Sequence, residues 1–329
     1  MTLRPNKRRL ALFAVEHLIW FINLGLIIFF GAMNFMYFST GVLIMILYSV
    51  AALGFLVYAE SIAIISGHMD LSVGGIAAFT SVIIGELALY WAPEIPAPLL
   101  IPLYAIIGGF LGVINGYCIG KLRINSFLQT LSAYLVLYGI NVVISPGTLH
   151  RLPELIVAAG SSKIPFTPLP VAVIILILGA IIIHVVLAKT RFGRRIYAVG
   201  GSKEASRACG INVEKTIMAT FAFVGVLSGI AGLLYTGYQL CVTTYMARDD
   251  VFRAFTGPII GGVALAGGRG KMIGIFGGIT MIGIIDIGLT VLGYPAAWRT
   301  ALNGVILGIA IFVNTAREKI RWRLLAKAD

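Results

Sequence analysis

The sequence predicts an all-α polytopic membrane protein with about ten transmembrane helices. Three observations predict it. Only 12% of the 329 residues are charged and the mean hydropathy is +0.98, where a soluble domain of that size exposes far more charge. Apolar stretches repeatedly reach the roughly 20 residues needed to cross a hydrocarbon core of about 30 Å. Once spans are counted, Lys and Arg separate by side. Nothing is left over for a soluble domain. Residues 1–329 read as one transmembrane domain with 1–17, 189–216 and 316–329 as its cytoplasmic segments.

The elements follow in order. The start, MTLRPNKRRLALF, has the basic character of a signal-peptide n-region. The apolar run continues to Phe38 with no small-x-small cleavage site, so 18–38 reads as a retained first span. Spans at 43–65 and 71–91 are separated by only a few residues. The segment 92–98, APEIPAP, is a stiff surface connection. The fourth span, 99–120, carries Gly108, Gly112, Gly116 and Gly120 at every fourth residue, a smooth ridge for close approach of another backbone. The fifth, 126–145, leads into a proline-containing loop at 146–168, and the sixth is 169–188. The seventh is 217–238, the eighth, 254–268, is short and Gly-rich, and 272–292 and 298–315 complete the set. Further glycine pairs occur at 225/229, 257/261, 274/278 and 304/308.

With the N-terminus in the cytoplasm, only Arg151, Lys163, Arg248, Arg253 and Arg299 of the 25 Lys and Arg lie outside; the other 20 lie inside. The net charge of +12 is therefore a topology signal that faces anionic lipid, and it does not call for nucleic acid. Five spans precede the 146–168 loop and five follow it, so the halves have opposite topology, the arithmetic of an inverted repeat. Cys118, Cys209 and Cys241 have no CxxC or metal-ligand spacing, and the four histidines are far apart, so no metal site is expected.

The polar island Thr190–Asn212, TRFGRRIYAVGGSKEASRACGIN, contains a helix start and stop. Ser202 is a good N-cap, Glu204 suits the first turn, and Gly210 suits the position after the C-cap. A short helix over 203–209, about 10 Å long, on the positive side of the membrane is a docking element. Inside the spans, Glu60 and Asp286 lie at membrane depth, where an unpaired charge costs at least about 2.5–3.5 kcal/mol; Glu86 is near a span end. Asn115, Gln129 and Asn303 are further candidates for lining a polar pathway. The nearest string to a P-loop, Gly267-Gly268-Arg269-Gly270-Lys271-Met272, lacks its spacing. The chain should not hydrolyse ATP, and it is not expected to be an enzyme or to carry a cofactor of its own.

The strings MDLSVGGIAAFTSVIIG (69–85), GVINGYCIGKLRINSFLQTLSAYLVLYGI (112–140), TRFGRRIYAVGGSKEASRACGINV (190–213), GGVALAGGRGKMIGIFGG (261–278) and AAWRTALNGVILGIAIF (296–312) resemble the permease subunits of bacterial ribose/xylose/galactoside-type ABC importers. In that family Glu204, Ala205, Arg207, Gly210 and Ile211 match the pattern of the loop that couples to the ATPase. The resemblance implies a second permease subunit, identical or a paralogue, and a tandem ATP-binding subunit that carries the Mg-ATP. It also implies an extracytoplasmic solute-binding protein, a place in the bacterial inner membrane with both termini cytoplasmic, and a fold like that of the cobalamin importer permease. Two strings depart from the family pattern: Gly67-His68-Met69 ahead of Asp70, and the outer segment 246–255.

On this reading the solute is a monosaccharide or related small polar molecule. Arg248, Asp249, Asp250 and Arg253 are candidates for docking the binding protein, and Glu60, Asn115, Gln129, Asp286 and Asn303 for the pathway. Other readings remain: an ABC permease for branched-chain amino acids, nucleosides or a furanose-like signal; an ion-coupled transporter using Glu60 or Asp286; and a purely structural membrane subunit.

Overall fold

A computed structural model describes residues 17–295, 297, 298, 300–302, 304–309, 311 and 312. The expected terminal segments before 17 and beyond 315, and Asn303, lie outside the described residues; the tenth expected span lies partly outside them. Among the described residues the chain is a helical bundle with a single two-stranded sheet. Among the described residues, seven helices are long and apolar enough to cross a membrane.

The helices are α1 (Leu18–Met33), α2 (Thr40–Ile65), α3 (Val73–Glu86, continued by a π-helical turn Leu87–Trp91), α4 (Ala97–Gly120) and α5 (Ser126–Ile144). After strand β1 (Thr148–Leu149) come α6 (Glu154–Ser161), α7 (Val171–Lys189), α8 (Arg191–Gly201), α9 (Lys203–Ala208) and α10 (Val213–Gln239). Strand β2 (Val242–Thr243), α11 (Asp250–Ile260) and α12 (Met272–Val291) follow. One end of the bundle gathers the C-termini of α2, α4 and α7, all of α8 and α9, and the N-termini of α5, α10 and α12. It carries the basic residues of positions 121–123, 189–215 and 269–271, and is called the basic end below.

The sequence places α2 at the centre. It is apolar on all sides, as a helix buried on all sides must be, and every residue from Val50 to Ser66 is buried. It packs against α7, α10, α11 and α12. In contrast, α4 and α7 bury one face and leave Ile106, Phe110, Ile177 and Ile181 exposed, the surface expected of lipid-facing helices. The first span is shorter than expected: α1 has 16 residues, and a 3₁₀ turn Phe35–Phe38 follows. Tyr37 fixes it by donating to the Ile284 carbonyl on α12 at 3.0 Å.

The glycine ridges find one another. A Cβ at Gly108 would run into the Gly225 carbonyl, one at Gly112 into Phe221, and one at Gly229 into Tyr104. So the fourth-span ridge and the 225/229 pair are two sides of one α4–α10 contact. Likewise 257/261 on α11 packs against 274/278 on α12.

The eighth expected span is corrected. Instead of a helix over 254–268, α11 covers Asp250–Ile260, 11 residues and about 16 Å. The chain reaches it by dipping into the bundle through turns, with backbone bonds from Met246 to Thr243 and from Arg248 to Tyr245. β2 pairs antiparallel with β1, Thr148 opposite Thr243. The segment then follows α5 inward: Thr244 donates to the Ser145 carbonyl (2.7 Å), Asn141 donates to Thr244 (3.4 Å), and Tyr138 donates to Met246 (2.7 Å). From 145 to 138 is about 10 Å along a helix. Irregular backbone at membrane depth needs such polar partners, and α5 supplies them. Pro258 and the glycines at 257, 261 and 262 explain why no long helix forms here.

Candidate functional site

The short helix expected over 203–209 is present as α9, Lys203–Ala208. Ser202 leaves α8 in an extended conformation, and its hydroxyl oxygen accepts from the Ala205 N–H at 3.1 Å. Gly210 has φ +76°. Its N–H donates to Arg207 (2.9 Å) and that of Ile211 donates to Ser206 (3.0 Å), the paired bonds of a Schellman end. Ser206 is buried, whereas Glu204, Ala205, Arg207 and Ala208 are exposed. Bonds from its own backbone N–H and from the Ser202 hydroxyl hold the Glu204 carboxyl below the usual carboxylate range. Ile211 packs on the small cluster of Ile119, Val199, Val213 and Ile217 that seats the helix on the bundle.

Sequence reasoning missed α8 as an element. It is amphipathic: Ile196 and Val199 are buried, and Arg191, Arg194 and Arg195 are exposed. Thr190 caps it by accepting from the Gly193 N–H at 3.1 Å. The signal was in the sequence, a Thr cap followed by apolar residues at helical spacing. The end of α8 meets the end of α2 in a junction that has no room for side chains. The Gly268 N–H donates to the Ile65 carbonyl at 2.8 Å. A Cβ on Gly200 would run into the same carbonyl, and one on Gly267 would sit 2.8 Å from the Gly67 Cα.

Above this junction lies a buried polar chain. The segment 67–72 turns back into the bundle, so that the Asp70 N–H faces the Glu60 carboxylate, 3.3 Å from each oxygen. Asp70 Oδ1 accepts from the Ser72 N–H (2.8 Å) and from its hydroxyl (2.5 Å). Asn115 Nδ2 donates to Ser72 Oγ at 2.9 Å, and Gln129 Nε2 donates to Asn115 Oδ1 at 3.2 Å. Glu60, Asp70, Ser72 and Asn115 are all buried, and Gln129 is half-buried. Three of the five expected pathway residues thus belong to one network across α2, α4 and α5. Asp70 and Ser72, which complete it, were not expected; two polar residues in the short gap before a span were the available signal.

Asp286 stands apart from that chain. Its carboxylate accepts from Arg253 at 3.0 Å, and Arg253 also pairs with Asp250 at 3.3 Å. Asp250 accepts from the Tyr235 hydroxyl at 2.6 Å. All three charged side chains are at most 20% exposed. So Asp250 and Arg253 turn inward at the head of the broken span and join Asp286, whereas Arg248 and Asp249 are exposed. The Arg248 guanidinium lies 5.2 Å from the centre of the Tyr245 ring. Asn303 lies outside the described residues. No group of three or more His, Cys, Asp or Glu suited to a metal occurs among the described residues.

Comparison with known proteins gives a consistent set. The family described as "Branched-chain amino acid transport system / permease component" matches residues 21–311. The chain is similar to the ribose import permease protein of Bacillus subtilis, 30% identical over 83% of this chain and 84% of that one. It is similar to the fructose import permease protein of Rhizobium meliloti, 26% identical over 90% and 84%. It is also similar to the xylose transport system permease protein of Haemophilus influenzae, 28% identical over 81% and 86%. No solved structure gives a significant match.

Proposed function

This chain belongs to the family of branched-chain amino acid transport system / permease components, and from that premise we propose that it is the membrane-spanning permease subunit of an ATP-driven, binding-protein-dependent importer of a monosaccharide. The family description names amino acids, but the relatives are named for ribose, fructose and xylose, which favours a sugar. ATP is hydrolysed by a partner, since the chain has no phosphate-binding loop of its own. Two permeases, an ATP-binding subunit with tandem domains and an extracytoplasmic binding protein make up the assembly. The basic end faces the cytoplasm of a bacterium, in keeping with the positive-inside rule, and the fold is of the cobalamin importer permease kind.

The observation that carries this reading is α9: a short helix, capped at both ends, with Glu204, Ala205, Arg207 and Ala208 exposed at the basic end. A helix of six residues contributes little to its own stability, so an exposed one with both ends capped is a rigid contact for a partner. Ser202, Gly210 and Ile211 hold it, and Glu204 and Arg207 make the contact. The polar chain from Glu60 to Gln129 lines the route near the basic end. Arg248 and Asp249 meet the binding protein. Asp250 and Arg253, with Asp286, stabilise the break in the eighth span.

The ion-coupled alternative loses support from Asp286, because its carboxylate is taken up in a pair with Arg253 at 3.0 Å. The test is recovery of the tagged chain from native membranes in mild detergent, with mass spectrometry of its companions. A co-purifying ATPase with two nucleotide-binding domains is expected. Recovery of the chain alone from several detergents would overturn the importer reading.

A further inference from the structure

The turn between α2 and α3 is where α9 touches the interior. Lys203 and Ser206 are the residues of α9 that face inward. Lys203 Nζ lies 3.1 Å from His68 Nε2. The His68 ring is buried and stands edge-on to Phe221 of α10, with centroids 5.9 Å apart. Its other nitrogen, Nδ1, is 3.1 Å from Ser66 Oγ, and the Ser66 hydroxyl donates to the Ala63 carbonyl at 2.7 Å.

One protonation pattern satisfies all of these contacts. An ammonium group only donates, so Nε2 accepts and the ring proton sits on Nδ1. Nδ1–H then donates to Ser66 Oγ, whose own proton is committed to Ala63. The result is a one-directional chain of hydrogen bonds from α9 to the last turn of α2, ending on the Ala63 carbonyl, which also accepts from the Ser66 and His68 N–H groups. Two residues beyond His68, the Asp70 N–H holds the Glu60 carboxylate. Glu60 stands one turn before Ala63 on the same helix. The turn 66–72 is therefore clamped to α9 on one side and to the buried polar chain on the other.

We propose that His68 is a positioning residue that delivers displacement of α9 to α2 and the buried polar chain, by accepting from Lys203 and donating to Ser66. The consequence is specific. Motion of a six-residue surface helix reaches the helix at the centre of the bundle directly, instead of spreading through the neighbours of α9. The inference rests on the reading of α9 as the contact for an ATPase.

The test uses the full chain with its co-purifying ATPase in lipid nanodiscs, and reads amide hydrogen exchange in residues 60–72 with and without Mg-ATP and vanadate. In the wild type, trapped nucleotide changes exchange in this segment. Lys203→Met and His68→Leu should reduce that change at least about fivefold while the ATPase stays bound. His68→Gln should restore it, because a carboxamide can also accept from Lys203 and donate to Ser66. A nucleotide response of wild-type size in both Lys203→Met and His68→Leu would overturn the relay, as would failure of His68→Gln to differ from His68→Leu. A wild-type chain that recruits no ATPase is recognised before any variant is compared; it sinks the importer reading, and the relay with it.

Discussion

Arg253 and Asp286, 33 positions apart in sequence, face each other at 3.0 Å between a broken span and the helix beside it. Asp250 takes the other side of the same guanidinium. Removing the cation leaves two carboxylates in a poorly solvated place. Arg253→Met should lower stability by roughly 3–5 kcal/mol, the cost of breaking a buried pair. Asp286→Asn should cost less, since Arg253 keeps Asp250. Thermal unfolding in detergent checks both, and equal effects would show that the two pairs do not act as one cluster.

Neighbouring glycines at the end of α8 should behave oppositely. A Cβ on Gly200 meets the Ile65 carbonyl, whereas nothing lies within 4 Å of one on Gly201. Gly200→Ala should destabilise by about 1–3 kcal/mol through overpacking. Gly201→Ala should be neutral or slightly stabilising. Both can be read as shifts in unfolding temperature, and indifference to Gly200→Ala would mean that the junction is looser than described.

Glu204→Ala and Arg207→Ala should each reduce uptake of the transported sugar by at least about tenfold while membrane insertion is unchanged, because both side chains are exposed and Glu204 bonds only within α9 and its cap. Labelled ribose, fructose and xylose are the solutes to try. Ser202→Ala should act differently, by loosening the helix at a cost of about 1 kcal/mol. Normal ATP-driven uptake by the first two variants would remove α9 from the coupling role.

Much of this was legible in the residues. Composition and run length gave the helical membrane class, and Ser202 and Gly210 gave α9 within a residue. Caps are local chemistry, so a sequence shows them. The ridge of Gly108, Gly112 and Gly116 announced a close contact but not its partner, because pairing across a bundle has no local signature. The broken eighth span was hidden for a different reason. The irregular segment leading into it has its Thr244 and Met246 carbonyls satisfied by Asn141 and Tyr138, and its Thr244 hydroxyl by the Ser145 carbonyl, about a hundred positions away. The same distance problem split Glu60 from Asn115 and Gln129, and put Arg253 on the surface instead of beside Asp286.

His68 gives a pH signature. Burial, and then the charge of Lys203, push its imidazole down to about 4. An unfolded imidazole titrates near 6.5. The folded value is the lower one, so the stability this contact contributes is full above about 6.5 and is lost as pH falls through about 4, while in the folded chain the bond to Lys203 breaks only near 4. The charge that acts on the ring is that of Lys203, which in turn feels Arg207 and Glu204 on α9. Nitrogen-15 spectra of labelled histidine, assigned with His68→Gln, should show His68 neutral and protonated on Nδ1 at pH 5.5. Lys203→Met should raise its pKa. A ring already cationic at pH 5.5 would contradict the arrangement.

The α4–α10 contact, backbone against backbone along Gly108, Gly112 and Gly229, has a consequence for where solute can travel. It joins a helix of the first half to one of the second, and β1 with β2 ties the same halves at the opposite end. A seam that excludes even a methyl group excludes a sugar, so no solute passes between α4 and α10. In the two-permease assembly proposed above, α4 and α10 would then move as one leaf, with solute passing elsewhere than between them.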